Sequence, residues 1–598
     1  MTAAFLDTDH RPRRGAAAAW VIAAALLALY AVAFASRYEL RVLTFAGTQV
    51  LLVLGYQFVF GHAGALSLAQ GAFYGIGAYV TAILGASYGW SFPLTFPLAI
   101  AAPTALAALV AAPVLRLSSH YFALATLGLA QVVLLAAVNG GELTGGALGI
   151  SGVPSIAVLG WTLPRGLPLA TLVWVVVALG AWLSHRLTRG LSGGAYGVLR
   201  GDAMAADAIG LDRPRLRFAA FLLSAGYAGA AGALSAHTIG VVSSEALEFP
   251  VMVTCLAMTV IGGSTRIAGA FLGALLLVHL PEWLRFLQGY ALLAYGAALL
   301  AAIILAPEGI AGLLARTASR PRPPARPAPL PLPSRRVAGW GDSVLEARGL
   351  TKRFGGILAL AAVDVTLAPG ELLGIIGPNG SGKTTLANLL TGFAVADAGT
   401  IRLAGRPLED ADAAAIARAG LVRSFQTPAL PPDLCALEAV AVARASRLAC
   451  VGIGAALAGR DAGERRAQIE AEALGLLSQL GAQGVAPRRC AELSPAEARL
   501  VEIARALALE PRLLILDEPA AGLGDGERRD LAALLTALAH DGLALMVIEH
   551  DMEFLLPIAD RVLALDQGRV IAHGAPAEIR RHPAVIAAYF GRAEGDAP

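Results

Sequence analysis

A series of apolar stretches, most of them long enough to cross a lipid bilayer, constrains the first half of this chain more than any other feature. A helix needs about 20 predominantly apolar residues to span the hydrocarbon core. We therefore predict a polytopic α-helical membrane domain of about 8–10 helices over residues 1–314. The short stretch 250–264 leaves open a count of eight or nine helices plus a re-entrant segment. The stretches lie at about 15–35, 42–60, 68–86, 93–115, 119–138, 169–184, 218–241, 250–264, 267–284 and 289–306.

Basic residues predict the orientation of these helices. Arg11, Arg13 and Arg14 precede the first stretch, which is too long for the core of a cleaved signal peptide and is interpreted as a retained helix. By the positive-inside rule the N-terminus then lies in the cytoplasm. Six crossings place the most basic loop, 185–217, on the same side, and ten crossings place the C-terminal half there too.

The composition excludes several classes of function. Hydrophobic residues make up 57% of the chain and charged residues 15%, below the roughly 25% of an ordinary soluble domain. Ionisable residues are almost absent from the apolar stretches, which counts against a proton-coupled carrier or a charged ion pathway. The net charge of +3 indicates no nucleic-acid partner. Four cysteines show neither metal-type spacing nor a disulfide framework and are expected to be reduced: Cys255, Cys435, Cys450 and Cys490.

The second half of the chain has a different character. Residues 315–343 are rich in proline and arginine, and such a segment favours extended conformations and acts as a tether. Strand-like and helix-like runs alternate over 344–598, which predicts an α/β domain. The pattern G-x-x-x-x-G-K-[ST] at 377–384 within it indicates the phosphate-loop class, which binds nucleotides. The predicted organisation is therefore a membrane domain, a linker and a nucleotide-binding domain.

One motif identifies the chemistry of this α/β domain. The apolar run Leu372–Ile376 predicts a buried strand, and a helix is predicted to start near Leu386. Between them lies a G-x-x-x-x-G-K-[ST] loop in its required strand–loop–helix context. We expect Lys383 to reach the β- and γ-phosphates of ATP and Thr384 to ligate Mg²⁺. The nucleotide-binding residues predicted here are Gly377, Pro378, Asn379, Gly380, Ser381, Gly382, Lys383, Thr384 and Thr385.

Polar residues at the ends of further apolar strands complete the predicted site. Asp517 and Glu518 follow four apolar residues, and we expect Asp517 to hold Mg²⁺ and Glu518 to polarise the attacking water. His550 ends another strand-like run and is placed to contact the γ-phosphate. Gln426 is interpreted as a further Mg²⁺ and γ-phosphate contact. The predicted catalytic residues are thus Glu518, His550 and Gln426.

The order of these motifs over about 344–591 resembles the ABC ATPase family. The resemblance implies that Phe354 stacks on the adenine ring. The segments 519–523 and 548–552, and the tail 587–591, are similar to the ATPases of branched-chain amino acid (LIV-type) uptake systems.

The membrane half is similar to the permeases of the same systems. The likeness is carried by Gly61–Tyr79, Tyr121–Gly128, Thr144–Ile150 and Ala306–Gly309, and it departs at Gln70, where the family pattern has His. In the loop 185–217, four residues resemble the Glu-Ala-Ala…Gly loop by which importer permeases dock into an ATPase subunit: Asp202, Ala205, Ala206 and Gly210. The alternative is a basic loop that only sets the topology.

The resemblance implies an ATP-hydrolysing importer in a bacterial inner membrane, multi-pass, with a cytoplasmic ATPase domain. Its solute is expected to be a branched-chain or other hydrophobic amino acid, with urea, short amides or aromatic carboxylates as alternatives. The implied partners are membrane lipid, a second permease subunit, a second ATPase subunit and a periplasmic or lipid-anchored solute-binding protein. An exporter half-transporter and a non-hydrolysing sensor remain as further alternatives.

Two departures from the ATPase pattern concern the partner site. The signature, usually Leu-Ser-Gly-Gly-Gln, reads Leu493–Glu497, in which Pro495 lacks an N–H donor and Ala496 adds a methyl group. The residue after Leu523, usually Asp or Asn, is Gly524. We hypothesise an asymmetric pair of ATP sites, one of them slow, and a tolerated change with both sites active stays open.

Overall fold

The structure is a computed structural model that describes residues 36–590. Within that range the description leaves out 116, 118, 159–160, 284–289, 291–292, 294–295, 298–299, 302–303, 307, 319–342, 410 and 458. The chain divides into two compact units. The first comprises residues 1–185 and 217–319, and the second comprises 186–216 and 320–598.

Long apolar helices build the first unit. Judged by length and composition alone, five helices of the described part could cross a membrane: Arg37–His62, Phe92–Val114, His120–Asn139, Leu167–Thr188 and Arg213–Ile239. The predicted span 15–35 and the linker residues 319–342 lie outside the described residues, and half of the span 289–306 falls outside them. The helices are α1 (Arg37–Tyr56), α2 (Gln70–Ala82), α3 (Phe92–Val114), α4 (Ser119–Asn139), α5 (Leu167–Thr188), α8 (Arg213–Ile239), α9 (Phe249–Gly262), α10 (Ile267–Trp283) and α11 (Gly309–Ala318), with α6 and α7 in the second unit.

Short elements accompany these helices. A π-helical turn continues α1 over Gln57–His62, and another continues α2 over Ile83–Ser87. Two short antiparallel pairs join β1 (Ile150–Ser151) to β4 (Val241–Val242) and β2 (Ala157–Val158) to β3 (Trp161–Thr162).

Small residues let α2 and α8 pack backbone against backbone. A Cβ atom added at Gly77 would lie 2.2 Å from the carbonyl oxygen of Gly229, and one at Gly232 would lie 1.9 Å from that of Tyr74. No larger side chain fits at these crossings. The glycine-rich stretch 71–79 is therefore a helix-packing surface, as expected where lipid supplies no hydrophobic drive for helix association.

The departure at Gln70 has a structural consequence in the same helix pair. Its amide group is buried, accepts a hydrogen bond from the Ser224 hydroxyl at 2.6 Å, and donates to the carbonyl oxygens of Leu52 and Ser224. Gln70 thus joins α1, α2 and α8 through a satisfied polar contact in an apolar interior.

Two sheets form the core of the second unit. A six-stranded sheet has the order β10-β11-β12-β7-β13-β14 and is parallel except for the β13–β14 pair. A four-stranded antiparallel sheet has the order β6-β5-β8-β9. The strands are β5 (Leu345–Phe354), β6 (Ile357–Leu367), β7 (Leu372–Ile376), β8 (Ala398–Leu403), β9 (Arg406–Pro407), β10 (Leu421–Arg423), β11 (Leu513–Asp517), β12 (Ala544–Ile548), β13 (Arg561–Asp566) and β14 (Arg569–Gly574).

The central strands β7, β11 and β12 are buried at every position because parallel strands are covered on both faces, which explains their continuous apolar runs. Their carboxyl ends meet at one edge of the sheet. The helices of this unit are α6 (Gly190–Gly201), α7 (Ala203–Ala208), α12 (Lys383–Leu390), α13 (Ala413–Ala419), α14 (Ala436–Arg447), α15 (Ile453–Leu457), α16 (Gly459–Gln479), α17 (Pro495–Leu507), α18 (Asp525–His540), α19 (Met552–Leu555), α20 (Pro576–Ile579) and α21 (Pro583–Phe590).

Candidate functional site

The predicted phosphate loop, Gly377–Thr385, leaves the carboxyl end of β7 and enters α12 at Lys383. This arrangement aims the first N–H groups of α12 and the positive end of its dipole at the loop, as in phosphate-binding helices generally. An open cavity lies above the loop and is lined by Asn379, Gly380, Ser381, Lys383, Thr384 and Glu518, among others.

Lys383 lies folded back onto the loop. Its Nζ donates to the carbonyl oxygens of Gly377 at 2.6 Å and Pro378 at 3.0 Å. Burial lowers the pKa of Lys383, while the nearby carboxylates of Glu518 and Asp517 oppose that shift. An anionic ligand in the cavity would further favour the charged ammonium group.

The loop carries a second feature that fits a phosphate group. Among the described residues, the hydroxyl oxygen of Ser381 is buried and has no hydrogen-bond partner. A buried polar atom of this kind is rare unless a ligand or water pairs with it. Together with Lys383 and the N-terminus of α12, this donor set suits the phosphates of a nucleotide.

Three predicted catalytic residues come together at the carboxyl edge of the sheet. Gln426 Nε2 donates to Glu518 Oε2 at 2.7 Å, and His550 Nδ1 lies 3.8 Å from Glu518 Oε1. They meet because β10, β11 and β12 are adjacent strands, and each residue follows the end of one of them. Glu518 has a positive φ of 46°, and its N–H donates to the carbonyl oxygen of Ile548 at 2.9 Å.

Asp517, predicted as a Mg²⁺ ligand, pairs with a residue that sequence reasoning missed. Arg423 Nη2 donates to Asp517 Oδ2 at 2.7 Å, and Arg423 Nη1 donates to Asn388 Oδ1 of α12 at 2.5 Å. Both charged side chains are buried. Carboxylate oxygens are ligands that Mg²⁺ prefers, and the pair with Arg423 holds the Asp517 carboxylate in place at the end of β11. The signal in the sequence was a charged residue ending the otherwise apolar strand β10.

A second buried ion pair connects α17 to the segment that carries Gln426. Arg499 Nη1 donates to Glu502 Oε2 at 2.7 Å and to the carbonyl oxygen of Phe425 at 2.8 Å, while Nη2 donates to that of Gln426 at 2.7 Å. Glu502 Oε1 accepts from the N–H of Phe425 at 3.1 Å. Neither residue was predicted, because each is an ordinary charged position on an amphipathic helix.

Glu549 is a fourth missed residue. Its side chain is 1% exposed and accepts from the N–H of Ala520 at 2.9 Å, just after Glu518. Burial raises the pKa of Glu549. Glu549 therefore joins the end of β12 to the turn that follows the predicted catalytic base.

Phe354, expected to stack on adenine, ends β5 and is 53% exposed. The ammonium group of Lys352 lies 5.5 Å from its ring centroid. Its strand partner Ile357 lines the cavity above the phosphate loop, whereas Phe354 is not among the described lining residues. Stacking on adenine stays a prediction.

The signature segment is the capped start of a helix. Ser494 is the N-cap of α17, its Oγ accepts from the N–H of Glu497, and Glu497 Oε2 accepts from the N–H of Ser494. Arg488 also donates to Glu497 at 2.6 Å. These hydrogen bonds, led by that from Ser494, lower the pKa of Glu497 and keep it ionised. The segment thus carries a carboxylate where the usual signature has a neutral glutamine.

The loop predicted to dock into an ATPase lies against this chain's own ATPase fold. Helix α6 packs on α14, and α7 packs on α13. Arg200 forms an ion pair with Asp433, Arg418 Nη1 donates to the carbonyl oxygen of Gly210 at 2.7 Å, and Ser192 Oγ donates to that of Gly452 at 3.2 Å. Residues 186–216 therefore form one compact unit with the ATPase.

Comparison with known protein families agrees with both halves. Residues 38–306 match the model of the permease component of branched-chain amino acid transport systems. Residues 360–521 match the ABC transporter model, and 569–595 match a model described as branched-chain amino acid ATP-binding cassette transporter.

Individual proteins also match, two by sequence and one by structure. The high-affinity branched-chain amino acid transport ATP-binding protein LivG of Escherichia coli K12 is 40% identical over 42% of this chain and 98% of its own length. The permease protein LivM of Salmonella typhimurium is 34% identical over 48% of this chain and 74% of its own length. A crystal structure of an ABC transporter cassette in its ADP conformation matches with a TM-score of 0.36 and 29% identity, over 42% of this chain and 99% of that chain.

The match to an ATP-binding protein and the match to a permease cover different halves of one polypeptide. The chain therefore belongs to the branched-chain amino acid ABC transporter family and joins its permease component and its ATP-binding cassette in a single protein.

Proposed function

We propose that this chain uses ATP hydrolysis to import branched-chain amino acids across a bacterial inner membrane. The observation that carries the proposal is the presence, in one chain, of a permease-type helical unit and of a phosphate loop that lines one cavity with Glu518, beside which Gln426 and His550 lie. The relatives matched by both halves are named for transport of the same solute class.

In this proposal each residue of the site has its own role. Lys383 leaves the loop carbonyls and binds the β- and γ-phosphates, together with the N–H groups of Gly380–Thr385. Glu518 accepts a proton from the attacking water, and the amide of Gln426 orients its carboxylate. His550 contacts the γ-phosphate from the neighbouring strand end.

Thr384, Gln426 and Asp517 are the residues that would hold Mg²⁺. When bound, the ion would neutralise charge on the phosphate oxygens. Asp517 is suited to this because Arg423 holds its carboxylate in a fixed, buried position. Phe354 would contact the adenine ring from the end of β5.

The proposed assembly contains a second permease, a second ATPase and a solute-binding protein that delivers the amino acid. The helical unit would lie in lipid, with the ATPase in the cytoplasm. Pro495, Ala496 and the ionised Glu497 would face the γ-phosphate held by the partner ATPase. Because a carboxylate near a phosphate is repulsive, this arrangement supports a slow site opposite this signature.

The test is ATP turnover by the complex of this chain and its partner subunits in lipid nanodiscs. Solute-binding proteins are added empty or loaded with leucine, urea or an aromatic carboxylate. We expect stimulation by the leucine-loaded protein and none with Lys383→Ala. Stimulation by another solute alone would refute the substrate class. High turnover insensitive to every binding protein would refute import, and absent turnover would refute the ATPase role.

A further inference from the structure

A tyrosine in the last helix contacts the first residue of the phosphate loop. The hydroxyl oxygen of Tyr589 accepts a hydrogen bond from the N–H of Gly377 at 2.8 Å, across 212 residues of sequence. Tyr589 lies in α21, which packs on β14 and is anchored by the buried side chain of Val585. The contact therefore comes from a docked helix.

Gly377 is held from several sides at once. Its carbonyl oxygen accepts a hydrogen bond from the ammonium group of Lys383 at 2.6 Å, while its N–H donates a hydrogen bond to the hydroxyl oxygen of Tyr589. Its φ of 155° places it against β13, where an added Cβ would lie 2.2 Å from the carbonyl oxygen of Leu565 and 2.6 Å from Ser381 Oγ. Only glycine fits at this position. Because glycine has no side chain to restrict its backbone, the orientation of this peptide depends on its hydrogen-bond partners.

The same C-terminal region also contacts the phosphate loop further along, at Ser381. The N–H of Gly568, in the turn between β13 and β14, donates to the carbonyl oxygen of Ser381 at 3.0 Å. The neighbouring Gln567 lines the cavity above the loop. Two hydrogen bonds from residues 567–589 thus hold the phosphate loop, one at Gly377 and one at Ser381.

We propose that Tyr589 is a positioning residue for the phosphate loop, through which the C-terminal helix α21 fixes the Gly377 peptide and thereby the position of Lys383. Among the described residues, the phenol oxygen is the acceptor for the Gly377 N–H, and it acts through Lys383 without touching the nucleotide. The inference rests on the proposed function in one respect, that Lys383 binds the nucleotide phosphates.

The decisive variant is Tyr589→Phe, which removes the hydroxyl and keeps the ring and its packing. Loss of one hydrogen bond of this kind predicts a rise of about 2- to 10-fold in the Kd and KM for ATP. Because Glu518 and Gln426 are not moved, kcat should stay within about 2-fold. The matched control is Thr536→Val, which removes a hydroxyl whose hydrogen bond stays inside α18.

The complex in nanodiscs is measured in two ways. Hydrogen exchange of the peptide covering Gly377, without nucleotide, reports on the loop itself, and titration with ATP and with ADP reports on phosphate binding. We expect faster exchange and weaker binding of both nucleotides in Tyr589→Phe, with Thr536→Val unchanged in both.

Unchanged exchange would overturn the inference, and so would faster exchange with unchanged nucleotide affinity, since Tyr589 would then serve the fold alone. A fall in kcat with KM unchanged would also overturn it. If the unmodified complex bound no nucleotide, the proposed function would be refuted, and the inference that depends on it would be refuted as well. This outcome is distinguishable because the exchange measurement needs no ligand.

Discussion

Substitution of Arg499 by methionine tests whether a buried ion pair positions the residues that are predicted to be catalytic. The methionine fills much of the same volume but removes the guanidinium group that donates to Phe425, Gln426 and Glu502. In the unmodified protein, Nη2 of Arg499 also lies 3.4 Å from the carbonyl oxygen of Glu518. The change therefore acts on both ends of the Gln426–Glu518 contact.

The magnitude follows from burial. The side chain of Arg499 is 4% exposed and that of Glu502 is 1% exposed. Removing one partner of such a pair costs about 3–5 kcal/mol, because the other charge is left buried and unpaired. We therefore expect a loss of about 4 kcal/mol in the stability of the ATPase domain. A displacement of about 1 Å at the catalytic residues also predicts a roughly 100-fold lower kcat.

Thermal unfolding and ATP turnover of the purified complex measure the two effects. The control is Arg348→Met, which breaks an ion pair with Glu346 that spans 3.5 Å and whose Arg348 side chain is 71% exposed. An exposed pair contributes about 0–1 kcal/mol, so this variant should resemble the unmodified chain.

The double variant Arg499→Met/Glu502→Gln tests whether the loss of stability comes from the unpaired charge of Glu502. Its glutamine is neutral and can still accept from the N–H of Phe425, so at least about 2 kcal/mol of the loss should be recovered. The reasoning is wrong if the double variant is as unstable as the sum of the single variants, or if Arg499→Met behaves like the Arg348→Met control.

Three further variants test other parts of the molecule. Glu518→Gln should lower kcat at least about 100-fold and leave ATP binding intact, and turnover near the unmodified rate would rule out Glu518 as the base. Burial raises the pKa of Glu549, so its contribution to stability is complete below its ordinary pKa of 4.5 and is lost as the pH rises through the raised pKa. Glu549→Gln should therefore raise the melting temperature more at pH 8 than at pH 5, and an equal change at the two pH values would contradict this. In Gly194→Ala the new Cβ would lie 2.5 Å from Val442 Cγ2, so packing of α6 on α14 should weaken by about 1–3 kcal/mol and solute-stimulated turnover should fall. Val442→Ala in the same chain should restore that turnover, and failure to do so would exclude this contact as the cause.

Much of the fold could be predicted because its signals are local. The long apolar runs predicted helices that the structure describes at 37–62, 92–114, 167–188 and 213–239, since a membrane requires continuous hydrophobic length. The phosphate loop was evident because glycine spacing, a buried strand and a following helix lie within 20 residues of one another. Asp517, Glu518 and His550 were found because each ends an apolar strand.

The residues that position the site could not be predicted in this way. Arg423 ends an apolar strand, and Glu549 and Tyr589 lie in segments that are similar to the family. Nothing in the sequence around these residues or around Arg499 indicates which groups they contact. Their partners lie far away along the chain, as Gly377 does from Tyr589, so no short pattern joins them.

The sequence by itself determined the phosphate-loop motif and the segments that are apolar enough to cross a membrane, and it predicted the residues of the ATP site. Only the tertiary structure decided which buried charges are paired, which helix holds the phosphate loop, and that residues 186–216 pack on this chain's own ATPase. The physical reason is that a buried charge or N–H is tolerated only beside its partner, and packing brings those partners together from distant parts of the chain.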